Sequence, residues 1–134
     1  MIESIYITTN KQGLQNITPA IQSVVKSMNT QQGLCTLFVK HTSASLIIQE
    51  NADPSARRDL EAWLNRLVKE NNSLYTHTLE GADDMPAHIK SVLTSTSISI
   101  PIDDYDLMLG TWQGIYLWEH RHASCSREIV IHCA

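Results

Sequence analysis

Basic residues are few and scattered: ten Lys and Arg stand against fourteen Asp and Glu, for a formal charge of −4. A protein that grips nucleic acid needs a basic stripe to neutralise phosphates, so no nucleic-acid partner is expected. One or two arginines holding a small anion are compatible with this balance. Long apolar runs are missing too. None approaches the roughly 18–20 residues of a membrane span, which argues against a membrane partner. The opening stretch MIESIYITTNKQ has no basic segment followed by an apolar one, so it does not read as a secretory signal. Cysteine is limited to Cys35, Cys125 and Cys133, an odd number without CxxC spacing. That argues against a disulfide framework and against a cysteine-based zinc knuckle. Together these absences predict a reduced, cytoplasmic protein in which Cys35 and Cys133 are small core residues.

What the chain does have is length for one domain, residues 1–134, with 43% apolar and 18% charged residues. It also has six histidines, more than core packing and chance would supply, so their neighbours have to explain them. No internal repeat, low-complexity tract or linker interrupts it. IESIYITT (2–9) alternates as a strand does, LCTLFVKH follows the break at Gly33, and SLIIQE (45–50) suits a third strand. Thr18-Pro19 predicts an N-cap and a first-turn proline ahead of Ile21, Val24, Val25 and Met28 at helical spacing. Asp53-Pro54 opens a second helix to about Lys69, with Leu60, Trp63, Leu64, Leu67 and Val68 as its apolar stripe. A third helix over about 84–94 carries Ile89, Val92 and Leu93, and three more strands fill the last third. This order predicts an α+β class: a single compact domain of mainly antiparallel sheets with two to three helices.

The strand 112–120 has no polar face, with Trp112, Tyr116 and Trp118 on one side and Ile115 and Leu117 on the other. An antiparallel strand with a solvated face would not look like this. Either helices cover one face and a second subunit the other, or the sheet is sandwiched. Because two or three modest helices cover little, the reading favours a homo-oligomer.

Polar groups that could do chemistry gather at the ends of the apolar segments, where loops meet helix N-termini that attract anions. His41 ends a strand in KHTSAS beside Thr42 and Ser43, but no nucleophile elbow such as GxSxG accompanies it. Glu50 and Asn51 follow SLII directly, where a carboxylate should face a cleft or a partner. GADDMPAHIKSVL (81–93) is over-equipped for a helix start. Asp84 would cap the helix, leaving Glu80, Asp83 and His88 free for a pocket shared with His41 and the GTWQG edge. His88 lies four residues after Asp84, near one face. It is either a partly solvated surface residue or a base or metal ligand oriented by an aspartate. A divalent-metal site built from His41, His88 and His120, with His77 as a fourth candidate, is a further reading, although no zinc signature is matched. Glu119 and His120 are consecutive on a strand and point to opposite faces. His122 reads as surface and His132 as core. Arg121 and Arg127 suit a phosphate or an ordinary salt bridge equally well.

The motifs HTSASLIIQENADPSARRDLE, EGADDMPAHIKSVL, IPI and LGTWQGIYLWEHR, in that order, resemble the YjbQ family of small proteins from about residue 35 to the end. That family is described as secondary thiamine-phosphate synthase enzymes. The resemblance implies an α+β fold that packs as a homotrimer, with sheets around the threefold axis. It implies catalytic roles for His41, His88, Asp83, Asp84, Glu80 and Glu119. It puts Ser43, Glu50, Asn51, Thr111, Trp112, Gln113 and Arg127 at the substrate, a small phosphorylated or anionic ligand. The implied reaction joins a hydroxymethylpyrimidine diphosphate to a thiazole phosphate and expels pyrophosphate, chemistry that uses a divalent cation, Mg or Zn. The sequence offers acids and imidazoles for a metal but few clustered bases and no glycine-rich phosphate loop. The synthase activity therefore reads as weak and secondary. Two alternatives stand beside it: a metal-dependent hydrolase or lyase, and a non-catalytic trimer that binds an anion.

Overall fold

β7, Gln113–Glu119, explains the architecture, because every side chain from Ile115 to Glu119 is buried. A computed structural model describes residues 1–134. The remaining strands are β1 (Ile2–Thr9), β2 (Gly13–Asn16), β3 (Gln32–Val39), β4 (Ala44–Glu50), β5 (Ser97–Asp103), β6 (Asp106–Leu107) and β8 (Cys125–Cys133). The helices are α1 (Thr18–Ser27), α2 (Pro54–Leu67) and α3 (Asp84–Leu93). The strands form a five-stranded sheet in the order β1-β8-β3-β5-β6 and a three-stranded sheet in the order β2-β7-β4, with every pairing antiparallel. The α+β expectation therefore holds. The short strands β2 and β6 carry too few alternating apolar residues to stand out in the sequence.

The main core lies between the two sheets, closed by α1. The larger sheet contributes Cys35, Leu37, Val39, Ile100, Ile129 and Ile131, and the smaller one Ala44, Leu46, Ile115 and Leu117. Burying each large aliphatic side chain contributes about 1.5–3 kcal/mol. The opposite face of β7 has its own cluster, in which Trp118 packs on Leu64 and Val68 of the α2 region, with Leu14, Ile47, Leu60 and Ile89 around it. A second sheet, not a second subunit, thus covers the Ile115–Leu117 face. Strand β7 therefore needs no partner subunit to cover either face.

The helix starts follow their local chemistry only in part. Asp53 caps α2 as expected, its Oδ1 accepting from the Ser55 amide at 2.9 Å. Thr18 does not cap α1: its hydroxyl accepts from the Ile115 amide at 2.8 Å, while Asn16 Oδ1 takes the Thr18 amide at 3.0 Å. At α3 neither aspartate caps through its side chain, because both are turned to other partners. Of the expected apolar stripe of α3 only Ile89 packs inward, against the Trp118 cluster. Val92 and Leu93 are 82% and 55% exposed, whereas Asp84, Pro86, Ala87 and Lys90 form the inward face. His132, expected in the core, is exposed on the outer face of β8, while Cys35 and Cys133 are buried as foreseen.

Candidate functional site

Asp84, at the start of α3, is the centre of the polar cluster at the α3 edge. Its Oδ2 lies 2.6 Å from His77 Nε2 and 3.2 Å from His88 Nε2, and Arg121 donates to its other oxygen. His88 arrives one helical turn later on the same face, and His77 comes from the segment leading into the helix. The two imidazoles meet edge to face, with centroids 5.3 Å apart. One ligand atom from each of His77, Asp84 and His88 falls within 4.8 Å of the others, a convergence that suits a single ion. The carboxylate is sealed at 8% exposure, while the two imidazoles are 42% and 34% exposed, so the third side of the set faces solvent.

A ring of partners holds this set in place. Arg121 reaches Asp83 through Nε at 3.2 Å and the Glu80 carbonyl through Nη2 at 2.8 Å. Asp83 Oδ2 also accepts the His122 amide at 2.8 Å. Gly81 has φ +111°, a left-handed conformation that a side chain would strain; it turns the chain so that Glu80 and Asp83 both meet Arg121. Burial pushes the Asp84 carboxyl up, but the His77 hydrogen bond and the Arg121 charge outweigh it and hold the group below the usual carboxylate range. Asp83 is held down in the same sense against its burial, by the His122 amide and by Arg121. Two imidazoles and an ionised carboxylate suit zinc or a similar transition metal better than magnesium, which prefers oxygen ligands.

The UPF0047 protein YjbQ-like family model matches residues 3–134. The chain belongs to the YjbQ/UPF0047 family. A UPF0047 protein of Synechocystis sp. is 52% identical over 97% of this chain and 88% of its own length. YjbQ of Escherichia coli O157:H7 is 40% identical over 96% of this chain and 93% of its own. A conserved hypothetical protein of Thermus thermophilus superposes with a TM-score of 0.88 at 31% identity, covering 98% and 99% of the two chains.

Within one chain the residues assigned to the site through the family resemblance separate into three groups. The α3 edge holds His77, Asp83, Asp84 and His88, which Glu80 joins through its carbonyl. A second group is interior. Arg127 donates from Nε to Glu119 Oε1 at 2.7 Å and from Nη2 to Oε2, while Thr9 donates to Oε1 at 2.6 Å. Glu119 is 1% and Arg127 5% exposed, so this pair ties the two sheets together and is not free for a substrate phosphate. Burial raises the Glu119 carboxyl, and the Arg127 and Thr9 hydrogen bonds more than reverse that. Ser43 meets Arg127 through its carbonyl, and His41 Nε2 accepts the Glu128 amide at 2.8 Å. Burial, with help from the Arg127 charge, pushes the His41 imidazole down.

His120 lies on the opposite face from Glu119, as strand alternation requires, and its Nε2 sits 2.9 Å from Ser45 Oγ. It is 1% exposed, and burial pushes its pKa down to about 3. Within one chain His41, His88 and His120 do not converge; the metal-capable neighbours of His88 are His77 and Asp84. The third group, Glu50, Asn51, Thr111, Trp112 and Gln113, sits at the far end of the small sheet. Glu50 pairs with Gln113 where Ala44 pairs with Glu119, so a seven-residue strand of about 20 Å intervenes. There Asn51 Nδ2 bridges the Thr111 and Gln113 carbonyls, each at 3.2 Å, and Trp112 is 64% exposed. The pocket expected to join His88, His41 and the GTWQG edge does not exist within one chain.

Sequence reasoning missed the clamp formed by Arg121 and the burial of Lys90. The signal for Lys90 was its place beside Pro86 and Ala87 at helical spacing, masked by the more conspicuous Ile89, Val92 and Leu93.

Proposed function

We propose that the chain is a metal-dependent enzyme acting on a small phosphorylated substrate, with His77, Asp84 and His88 holding the ion. The observation that carries this reading is that three ligand atoms lie within 4.8 Å of one another, on side chains of which the two imidazoles are part-exposed. A divalent ion there would polarise a phosphoryl oxygen or lower the pKa of a bound water. Arg121 and Asp83 orient the carboxylate, the support that ligand sets need from their surroundings. In its finest form the reading is thiamine-phosphate synthase chemistry, in which the ion neutralises the departing pyrophosphate. The imidazole-rich donor set favours a second reading, a hydrolase or lyase that uses an activated water.

The test is an assay of zinc- or magnesium-loaded protein with a hydroxymethylpyrimidine diphosphate and a thiazole phosphate, alongside a screen for phosphate release from small phosphate esters. Thiamine phosphate formed by the parent and lost in His88→Ala supports the transferase. Phosphate release with the same dependence supports the hydrolase. Equal background in both proteins for every substrate contradicts both readings.

We further propose that the functional unit is a homotrimer. The support is exposed apolar area: Tyr6 and Phe38 on the outer face of the large sheet are 66% and 47% exposed, and Trp63 and Leu67 on α2 are 52% and 56% exposed. Light scattering should give about 45 kDa, three times the 15.1 kDa chain. A mass of one chain would contradict the trimer.

A further inference from the structure

Lys90 is 3% exposed, and it enters no ion pair. Its Nζ donates to Asn65 Oδ1 at 2.5 Å, leaving two N–H groups. The nearby carboxylates are committed elsewhere, Glu70 to His122 Nε2 at 2.6 Å and Asp83 to Arg121 and the His122 amide. A buried ammonium without a counter-ion is costly, so an anion placed beside it would be stabilising.

Lys90 lines a cavity of about 350 Å³ together with Asn65, Gln12, Lys69, Glu70 and His122. Its amides are already oriented: Asn65 Nδ2 donates to Gln12 Oε1 at 3.2 Å, and Gln12 Nε2 to the His120 carbonyl at 3.4 Å. The cavity is linked to the ion cluster through His122, which lines it and whose backbone amide holds Asp83, the residue preceding Asp84. Lys69, Lys90 and His122 come from separate segments of the chain, so their gathering is invisible in the sequence.

We propose that this cavity is a subsite for a small oxyanion carried by the substrate, a phosphate or a carboxylate, with the Lys90 ammonium as its counter-charge. The proposal deepens the metal-dependent reading: it puts the charged group of the substrate beside the ion cluster.

The test uses metal-free protein, so that phosphate cannot bind through an ion. Inorganic phosphate and, separately, acetate are titrated while heat uptake and the melting temperature are followed. Saturable binding of at least one of them is expected, together with a rise in Tm; whichever binds tells phosphate from carboxylate. Lys90→Met, which keeps the aliphatic stem, should weaken that binding by roughly tenfold or more. Asn65→Asp puts a carboxylate against Nζ, and should raise the Tm without anion and abolish the anion-induced rise. This second variant keeps the test decisive if Lys90→Met does not fold. His88→Ala should bind the anion like the parent. No saturable binding to the parent, undiminished binding in Lys90→Met or in Asn65→Asp, or loss of binding in His88→Ala would each overturn the subsite. If the parent binds phosphate but no metal, the functional reading fails and the subsite stands.

Discussion

Two clusters in this molecule are built from the same parts, a carboxylate clamped by an arginine near histidines, and they have opposite surroundings. Between the sheets, Glu119 and Arg127 are sealed from water and saturated by Thr9 and backbone groups. At the α3 edge, Asp84 and Arg121 carry two imidazoles that remain open to solvent. The inner pair can neither exchange protons nor admit a ligand without parting the sheets. Its companion at the edge can do both. Residue type suggested chemistry in both places, and burial decides which of them is open to it.

The comparison breaks first at the arginines. Arg127→Met leaves Glu119 charged and buried, and should cost about 3–5 kcal/mol in urea unfolding. Arg121→Met should cost less, because His77 and His88 still hold Asp84 and the His122 amide still holds Asp83. Equal losses would show that both clusters are structural.

Removing a ligand should separate the two clusters in the other direction. Asp84→Asn should weaken zinc binding by at least the roughly 10–100-fold typical of losing a supporting partner, with stability changed by no more than about 1 kcal/mol. Glu119→Gln should reverse the pattern, losing stability and keeping the metal. Calorimetric titration and unfolding of the same samples check both statements.

Acid should act first on the buried side. His120 has its pKa depressed from 6.5 to about 3, so the unfolded chain binds its proton first and stability falls as pH drops through that interval. The slope approaches ~1.4 kcal/mol per pH unit for one proton. His41, lowered as well, adds in the same direction. Glu119, also lowered, contributes stability that is present above its ordinary value of 4.5 and lost below it. His120→Gln should flatten the curve between pH 6.5 and 4.5, as read by unfolding across pH; an unchanged curve would refute the assignment.

The smallest effect concerns the turn that aims the edge cluster. Gly81→Ala forces a side chain into a left-handed backbone with its Cβ 3.2 Å from Asp83 Oδ1. About 1 kcal/mol of stability should be lost, with zinc affinity reduced alongside.

Much of the fold was readable because long alternating or helical runs such as IESIYITT and the α2 segment carry their own periodicity. Asp53-Pro54 announced a helix start, and strand alternation correctly put Glu119 and His120 on opposite faces. The site was legible in outline only. GADDMPAH was recognisable as too polar for a cap, but which aspartate served which partner depends on Arg121, thirty-odd residues away in sequence and adjacent in space. The inward face of α3 was misread because it is lined by Asp84 and Lys90, and apolar periodicity cannot reveal a helix that buries polar groups. The layering that covers β7 from both sides was hidden for a different reason: it is set by long-range pairing, which no local pattern encodes.

The central claim is that His77, Asp84 and His88 form a metal centre, and the most direct measurement is titration of metal-stripped protein with zinc. One ion should bind per chain, with binding greatly weakened in Asp84→Asn and in His77→Ala, and preserved in His120→Gln. Absence of binding to the parent protein, or binding undiminished by loss of Asp84, would contradict it.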